Sequence, residues 1–589
     1  MKPIIERLDE KITAAMCLAA GRDDCSAIVR PAAEARFGDY QANGVMALAK
    51  QLGTDPRRLA EQVVEKLDVS DICQQPEIAG PGFINLRLKS EFIAQKLLDI
   101  SRDTKRLCIE NAASPQIVVV DFSGPNIAKQ MHVGHLRSTI IGDCICRMLE
   151  FLGHDVIRQN HIGDWGTQFG MLVQHLYQQS CSKGRSINEF HITDLEDFYR
   201  EAKKQFDLDP VFKKQSRNRV VELHNHTNEL TMKLWEHIVD ESRKHYLPIY
   251  SCLNVNLTRA NECGESFYAD KLSGVVKDLE KAGLAKKSDG ALCVFPPGFT
   301  NKEGQPLPFI VQKSDGAYLY ATTDLAALRY RVDKLNADSI IYVTDARQKL
   351  HFEMLFAAAE MAGWKKPGTK LSHVMFGSVL GEDGRPFKTR AGESVKLKDL
   401  LDESVDKAEA LVEQKNPDLN SELKEKIAKA VGIGAVKYAD LSNNRTSDYI
   451  FSFDRMLAME GNTAPYMQYA YARVRSIERK AVQKQLDIKT ELAQIKNVSL
   501  TEPAELDLAK HLVRYDEAIL SAVAEFRPNY ITAYLYDLAG RFSTFYNACP
   551  VLGADAGKRP SRVLLCDVTA ETIRHGLSEL LGIEVVEQM

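Results

Sequence analysis

The chain has 589 residues, of which 44% are hydrophobic and 26% are charged, as in an ordinary folded globular protein. Lysine and arginine together number 76 against 80 acidic residues, so the formal net charge is −4 with histidine neutral. This composition excludes a disordered chain, a collagen-like fibre and a membrane bundle. The net charge also excludes a protein that coats nucleic acid through overall basicity, although it leaves room for local basic patches.

The twelve cysteines are scattered, and no pair has CxxC spacing. We therefore expect no zinc ribbon, no thioredoxin-like pair and no structural metal. So few cysteines in a long chain favour reduced thiols in the cytoplasm. The first twenty residues are charged, and the longest uncharged stretch, 165–182, contains four glutamines, so we predict neither a signal peptide nor a membrane span.

Residues 1–112 are predicted to form an N-terminal α+β module. Helical periodicity opens the module, and a second helix is expected over 40–52. The turn at 80–82 (GPG) leads into an alternating run at 83–88 that predicts a strand.

Residues 113–400 are predicted to form an α/β domain with a doubly wound, Rossmann-like parallel sheet. The run QIVVVDF at 116–122 is typical of a buried parallel strand, and a loop then leads into a helix over 133–152. Charged helical residues at about 183–250 are predicted to be an insertion. Further strands are expected at 249–257, 291–295, 309–312, 338–344 and 371–378, and helices at 264–282, 323–335 and 349–362. Residues 401–589 carry few strand signals and are predicted to form an all-α helical bundle.

The strongest functional signal is PNIAKQMHVGHLRST at 125–139. Two histidines, His132 and His135, flank a glycine where the predicted strand and loop give way to a helix. A helix N-terminus attracts phosphate, and imidazole N–H groups there can donate to phosphate oxygens as charge develops. Gly134 would let a flat base lie against the backbone. One histidine at a helix start is usually a capping or solvated residue, but the whole arrangement favours a nucleotide site.

The string His132-Val133-Gly134-His135 resembles the HIGH signature of class I aminoacyl-tRNA synthetases. Together with NHIGDWGTQ at 160–168, YATTD at 320–324 and FKTRAG at 387–392, it makes the chain resemble the arginyl-tRNA synthetases over essentially its whole length. The resemblance implies that ATP activates L-arginine to arginyl-adenylate with release of pyrophosphate, and that the arginyl group then passes to the 3′-terminal ribose of tRNA(Arg). It also implies that activation requires bound tRNA.

The resemblance further implies the nucleotide-binding residues. The predicted ATP-binding residues are Pro125, Asn126, Ile127, Ala128, Lys129, Gln130, Met131, His132, Val133, Gly134 and His135. His132, His135 and Lys129 are expected to be catalytic. The second class I signature, usually Lys-Met-Ser-Lys-Ser, is replaced here by GRPFKTR at 384–390, in which Lys388 and Arg390 are candidates for pyrophosphate contacts. The family pattern assigns part of the missing charge to Lys129. Mg²⁺ is expected to be held mainly by the ATP phosphates.

A guanidinium group offers five donors in a fixed fork and needs carboxylates and planar acceptors. Polar residues that follow predicted strands or begin predicted helices can supply them, and the resemblance carries several of these over as substrate-binding positions. The predicted arginine-binding residues are Asp121, Asn126, Tyr320, Asp324 and Gln348, with Asn126 near the α-amino group. Taken alone, Asp324 is as often a plain helix-start carboxylate.

Aromatic rings and cations suit unstacked bases and phosphates. Tyr466, Arg473 and Arg475 lie in a segment that resembles an anticodon-binding bundle, and Met589 is expected close to the anticodon loop. Phe83 and Asn85 match the positions of the N-terminal module that grip a flipped base of the tRNA D-loop, although both could be plain strand residues. The predicted tRNA-binding residues are Phe83, Asn85, Tyr466, Arg473, Arg475 and Met589.

The favoured interpretation is an arginine-specific ligase that is monomeric, cytoplasmic and free of membrane contacts. Two alternatives remain open. The first is another class I synthetase, for cysteine or glutamate; the lack of zinc-ligand spacing counts against cysteine, and the acidic pocket counts against glutamate. The second is a non-catalytic tRNA-binding homologue, against which the intact His132, His135 and Lys129 argue.

Overall fold

The computed structural model describes residues 2–183, 192, 194–387 and 395–589. The chain divides into two compact units, the first made of residues 1–111, 459–579 and 585–589, and the second of residues 112–458 and 580–584. This division does not follow the boundary predicted at 400, because helices beyond it pack within the second unit. In the described part of the chain, every helix is too short or too polar to span a lipid bilayer.

The N-terminal part of the first unit is a four-stranded antiparallel sheet with helices, in the order β1-β2-β4-β3. Tyr40–Ala42 forms a strand, so the predicted helix over 40–52 is confirmed only from Gly44. Buried Tyr40 and Ala42 alternate with half-buried Gln41, which is the period of a strand. The elements are α1 Ile4–Ala20, β1 Val29–Pro31, β2 Tyr40–Ala42, α2 Gly44–Leu52, α3 Pro56–Lys66, β3 Glu77–Ala79, β4 Phe83–Leu86 and α4 Ser90–Arg102.

The second unit contains a parallel sheet in the order β11-β10-β5-β6. Its strands are β5 Ile117–Asp121, β6 Asp155–Gln159, β7 Lys286–Ser288, β8 Ala291–Val294, β9 Phe309–Gln312, β10 Ser339–Tyr342, β11 Lys370–His373, β12 Val379–Leu380 and β13 Tyr449–Ile450. The chain leaves β5 in one direction towards β6 and later in the other towards β10 and β11. The predicted doubly wound fold is thus confirmed, with its switch point between β5 and β10, where ligands bind in such folds.

Two predicted core strands belong elsewhere. β8 and β9 pair with β7 in a separate antiparallel sheet. Val294 and Val311 from that sheet pack with Leu325 and Ile340 in a single apolar cluster. The helices of the unit are α5 Leu136–Phe151, α6 Thr167–Lys183, α7 Leu195–Leu208, α8 Pro210–Asn225, α9 Glu229–Cys252, α10 Glu265–Tyr268, α11 Leu272–Lys281, α12 Tyr320–Asp333, α13 Lys349–Met361, α14 Leu397–Lys415, α15 Ser421–Leu441 and α16 Phe453–Met456.

The predicted insertion is helical where it is described, as α7, α8 and α9. The strand predicted at 249–257 is wrong, because α9 continues through Pro248 to Cys252. Tyr250, buried near the end of α9, bonds through its hydroxyl to Ser123 (2.8 Å) and Asn160 (3.1 Å). These tertiary contacts favour the continued helix over the break that proline predicts.

The rest of the first unit is all helical. Its elements are α17 Ala464–Gln483, α18 Ile488–Gln494, α19 Pro503–Leu512, α20 Tyr515–Glu525, α21 Asn529–Ala548, α22 Arg559–Arg574 and a π-helical turn at His575–Leu580. The N-terminal residues pack against this bundle within the same unit. The buried Lys96 ammonium lies 3.0 Å from an Asp516 carboxylate oxygen, and the Tyr40 hydroxyl donates to Glu517 at 2.5 Å.

Candidate active site

The loop after β5 turns sharply at the switch point of the sheet. Ser123 and Gly124 both have left-handed backbone, with φ of 70° and 49°. The Ser123 N–H donates to the Ser138 hydroxyl at 2.9 Å, and the Gly124 N–H donates to Asn160 Oδ1 at 3.0 Å. These bonds tie the loop to the start of α5 and to the end of β6, so the segment that follows is held in a fixed direction.

The predicted ATP-binding residues divide by exposure. The buried members, which support the loop rather than face a ligand, are Pro125, Ile127, Ala128, Met131 and Val133. Asn126, Lys129 and Gly134 are exposed, and Gln130, His132 and His135 are half-buried. The Asn126 amide donates to Gln168 Oε1 at 2.9 Å, and the Ile127 N–H donates to the Gly163 carbonyl at 3.2 Å, so the two sequence motifs lie side by side.

The two motif histidines are fixed as neutral rings. His132 Nδ1 accepts from the Gly134 N–H at 3.0 Å, and His135 Nδ1 accepts from the His132 N–H at 3.1 Å. The His132 carbonyl lies slightly farther from His135 Nδ1, at 3.2 Å, so we assign the nearer N–H as its partner and the proton of each ring to Nε2. Burial, and secondarily repulsion from the charge that His132 would carry if protonated, lowers the pKa of His135 to about 4, while burial and then Lys129 lower the pKa of His132. The ring centroids lie 4.1 Å apart, so two N–H donors stand together at the helix start.

Glycine is required between these histidines. A Cβ added at Gly134 would lie 2.7 Å from His132 Cε1 and 2.9 Å from its Nδ1. Any side chain there would displace the His132 ring and break the bond that fixes its tautomer. The steric reason for Gly134 is therefore the adjacent imidazole, in addition to the predicted approach of a base.

Lys129 and the residues at 395–397, which follow the segment that replaces the second class I signature, lie next to the histidines. The Lys129 ammonium is 4.3 Å from the centroid of the Tyr199 ring on α7. The Val133 N–H donates to the Val395 carbonyl at 3.0 Å, and the Leu397 N–H donates to the Met131 carbonyl at 2.9 Å. Lys388 and Arg390 lie outside the described residues.

Three of the predicted arginine-binding residues gather at the starts of α12 and α13. Tyr320 is the first residue of α12 and is 65% exposed, and Asp324 is one turn further along. Gln348 is exposed and immediately precedes α13. His351, in the first turn of α13, donates from Nε2 to Asp324 Oδ2 at 2.7 Å, and its ring centroid lies 4.9 Å from that of Tyr320.

Asp121, another predicted arginine-binding residue, is already paired with an arginine of the chain itself. Its Oδ2 accepts from Arg331 Nη2 at 2.7 Å, and Arg331 Nε donates to Gln159 Oε1 at 2.6 Å. Arg331 is fully buried and lies 5.1 Å from the Tyr342 ring. Burial lowers the pKa of Arg331, but the charge of Asp121 opposes this and the pKa lies well above its ordinary value. Asp121 therefore stabilises the protein's own guanidinium.

Glu265 is a carboxylate that the sequence analysis missed. It begins α10, and its pKa is raised to about 7 by burial and then by the charges of Asp164 and Asp324. Asp164 has its own donors, the Ser266 N–H at 2.9 Å and the Ser266 hydroxyl at 2.6 Å. Burial and the nearby negative charges therefore disfavour the charged form of Glu265, which a cation bound beside it would stabilise.

The predicted tRNA-binding residues lie in the first unit and differ in their burial and in their side-chain contacts. Asn85 is buried and accepts from the Gln41 amide at 2.8 Å, whereas Phe83 is half-buried at the start of β4. Tyr466 packs edge-on against Tyr536 at 5.9 Å, and Met589 is half-buried.

Arg473 and Arg475 have opposite surroundings. Arg473 lies 4.9 Å from the Tyr546 ring. Arg475 pairs with Glu571, with Glu478 at 2.7 Å and with Asp567 at 3.5 Å. Because these carboxylates already neutralise Arg475, its predicted phosphate contact is not supported by its surroundings.

The residues that the sequence analysis missed had weak signals. His351 follows Gln348 by three residues, which places both on one helical face. Glu265 begins a predicted helix, where a carboxylate is common for structural reasons. Arg331 lies seven residues after Asp324, again on one face of a helix, but nothing in the sequence separates it from a surface arginine.

Comparison with known families covers almost the whole chain. Residues 3–88 match a family model described as the arginyl tRNA synthetase N terminal domain, and residues 99–453 match tRNA synthetases class I (R), catalytic domain. Residues 467–589 match the DALR anticodon binding domain.

Individual proteins agree with these matches. The chain is 50% identical to an arginine–tRNA ligase of Nostoc punctiforme over 590 residues, and 50% identical to one of Shigella boydii over 583 residues; in both cases 99% of each chain is covered. Among solved structures, the arginyl-tRNA synthetase of Plasmodium falciparum matches with a TM-score of 0.84 at 30% identity, and that of Thermus thermophilus with 0.79 at 26%. Both comparisons cover 100% of each chain.

Proposed function

Because the chain belongs to the arginyl-tRNA synthetase family and is an arginine–tRNA ligase, we propose that the helix start at His132 and His135 binds its ATP. We propose further that the pocket around Tyr320, Asp324 and Glu265 binds its arginine. The observation that carries the proposal is the pair of neutral rings with both Nδ1 atoms occupied by backbone N–H groups. This leaves two Nε2–H groups as donors beside a helix N-terminus at the switch point of the sheet.

In the first step, the arginine carboxylate attacks the α-phosphorus of ATP and the bond to the β-phosphate oxygen breaks, which releases pyrophosphate. Negative charge grows on the phosphate oxygens in the transition state. The Nε2–H groups of His132 and His135 and the ammonium of Lys129 stabilise that charge. Lys388 and Arg390 remain proposed pyrophosphate contacts.

The substrate guanidinium binds between Glu265 and the free Oδ1 of Asp324, with the Tyr320 ring at the open side. Two carboxylates suit its fork of donors, which a lysine ammonium could not match. Asn126 and Gln348, both exposed, take the α-amino end. Asp121 contributes indirectly, by holding Arg331 behind the pocket.

Mg²⁺, when bound together with ATP, would supply positive charge that offsets the negative charge of the phosphates. The motif histidines do not suit it as ligands, because each Nδ1 accepts a backbone N–H and each Nε2 is protonated. In the described part of the chain, no group of three or more histidine, cysteine or acidic side chains is arranged to hold a metal. We propose that the ATP phosphates would provide most of the ligands, as hard oxygen donors that Mg²⁺ prefers.

In the second step, the 3′-terminal ribose hydroxyl of tRNA(Arg) takes the arginyl group and AMP leaves. Phe83, Asn85, Tyr466, Arg473 and Met589 are the proposed tRNA contacts in the first unit, and bound tRNA is proposed to be required for the first step. The ligase is proposed to be cytoplasmic and monomeric. Light scattering of the purified chain tests the oligomeric state.

Exchange of labelled pyrophosphate into ATP, measured with each amino acid with and without tRNA(Arg), tests the proposal. We expect exchange with arginine and tRNA together. The Asp324→Ala variant should lower arginine-dependent turnover by at least about 100-fold, on the few-kcal/mol scale of a lost charged hydrogen bond. Exchange with a different amino acid, or normal turnover of Asp324→Ala, would contradict the assignment of the arginine pocket.

A further inference from the structure

Asp324 is not a free carboxylate in the structure. His351 Nε2 lies 2.7 Å from its Oδ2, and the two side chains are only 15% (His351) and 21% (Asp324) exposed. His351 lies in the first turn of α13 and Asp324 lies one turn after the start of α12, so the bond joins the N-terminal ends of the two helices that form the proposed arginine pocket. A guanidinium that binds Asp324 therefore meets a carboxylate that is already bonded to this imidazole.

The imidazole of His351 is held by aromatic rings on several sides. Its centroid lies 4.9 Å from that of Tyr320, 5.3 Å from that of Phe352 and 5.6 Å from that of Phe309. Such enclosure restricts the rotamers of the histidine, so Nε2 stays directed at Asp324. The bond is therefore built into the packing and does not depend on a mobile surface side chain.

The chemistry of the bond leaves Asp324 able to bind a cation. The Asp324 carboxylate can only accept, so His351 Nε2 carries the proton. One N–H occupies one lone pair of Oδ2, and the remaining lone pairs of both oxygens stay available.

We propose that His351 is a positioning residue for arginine recognition: its Nε2–H fixes the plane of the Asp324 carboxylate so that the carboxylate meets the planar fork of a guanidinium. A carboxylate free to rotate would lose this orientation on each encounter and would have to be ordered by the substrate. The inference rests on the proposed role of Asp324 and adds the group that orients it.

Three substitutions separate the donor from the packing. His351→Phe keeps a ring among its aromatic neighbours but has no donor, His351→Ala removes both, and His351→Gln restores an amide N–H at a similar reach. The KM for arginine should rise about 10- to 100-fold in His351→Phe and His351→Ala, the range for losing a hydrogen bond to a charged group. The KM for ATP and for tRNA should stay near the wild-type values, and His351→Gln should recover most of the loss.

His373→Ala is the matched control. Its ring centroid lies 4.6 Å from that of Phe352, the same neighbour, but its Nε2 bonds to the Thr344 hydroxyl at 2.8 Å and not to Asp324. We expect its arginine KM to stay within about twofold of wild type, as for a site without the interaction. Thermal unfolding of every variant reports whether the fold is retained.

The outcomes distinguish this inference from the proposed function. A wild-type chain that exchanges pyrophosphate with an amino acid other than arginine would overturn the proposed pocket itself. A wild type that uses arginine, together with a folded His351→Phe of unchanged arginine KM, would overturn only the role of His351. A His351→Gln variant no better than His351→Phe would do the same, since packing alone would then account for the effect.

Discussion

The ammonium of Lys129 lies 4.3 Å from the centroid of the Tyr199 ring, so the helical insertion supplies the group that holds the lysine of the nucleotide motif. This contact is a cation–π interaction, and it restrains a long side chain that is otherwise exposed. The insertion, whose role could not be assigned from the sequence, thereby reaches the proposed ATP site through α7.

Replacing Tyr199 by Leu should therefore weaken ATP binding. We expect the KM for ATP in pyrophosphate exchange to rise about 3- to 10-fold, in line with the loss of one partly exposed cation–π contact. Tyr199→Phe keeps the ring and should behave like wild type. Phe206→Leu is the control, since Phe206 makes the same type of contact with Lys203 and Lys213 on the insertion helices. An unchanged ATP KM in Tyr199→Leu would mean that Lys129 is held by other groups.

Gly134→Ala should inactivate the ligase without unfolding it. The added Cβ would stand 2.7 Å from His132 Cε1, so the ring must shift and lose its bond from the Gly134 N–H. A displacement of this size in a catalytic donor is expected to lower kcat/KM about 100-fold. Gly274→Ala is the control, because a Cβ there has no neighbour within 4 Å and Gly274 lies inside α11. Near-normal exchange by Gly134→Ala would show that the His132 ring need not keep this position.

The sequence predicted the parts of the site that depend on local chain geometry. The apolar run at 116–122 and the residues after it were enough to predict a strand, a loop and a helix start, because these three elements are adjacent in sequence. Tyr320 and Asp324 were also predictable, since one helical turn brings them together. The strand at 249–257 was mispredicted because a proline such as Pro248 usually ends a helix. The contacts of Tyr250 with Ser123 and Asn160 explain why α9 continues.

The sequence could not show which charged groups are already paired. Asp121 and Asp324 look alike in sequence, yet one is bonded to the buried Arg331 and the other to His351. These partners lie 210 and 27 residues away in the chain. Their pairing follows from how strands and helices pack, and no local pattern encodes it. The same limit applies to Arg475, which is neutralised by carboxylates from α17 and α22.

The arginine affinity should depend on pH through Glu265. Burial, followed by the charges of Asp164 and Asp324, raises its pKa to about 7, so the carboxyl is mostly charged at pH 8 and mostly neutral at pH 6. A guanidinium pairs with the charged form. The KM for arginine should therefore rise as pH falls through 7, by about tenfold between pH 8 and pH 6 if one proton must leave before arginine binds.

Glu265→Gln provides the comparison for this pH dependence. The variant should have a raised arginine KM at pH 8 and a much flatter profile between pH 6 and pH 8. Burial lowers the pKa of His135 to about 4, so His135 does not contribute the slope between pH 6 and pH 8, and burial also lowers the pKa of His132. If the pH profile of Glu265→Gln is as steep as that of wild type, the titrating group must be one other than Glu265.

Arg473 and Arg475 should respond in opposite ways to replacement by alanine. Arg473 packs on the Tyr546 ring and leaves its donors for a phosphate or base, so Arg473→Ala should raise the KM for tRNA several-fold and leave the thermal midpoint unchanged.

Arg475 is only 13% exposed and neutralises Glu571, Glu478 and Asp567. Its removal leaves these carboxylates facing one another, which costs roughly 3 kcal/mol and should lower the thermal midpoint by several degrees. Because Arg475 points its donors inward, the tRNA KM of the folded variant should stay close to that of wild type. The reverse pattern, a stable Arg475→Ala with weakened tRNA binding, would place Arg475 on the RNA after all.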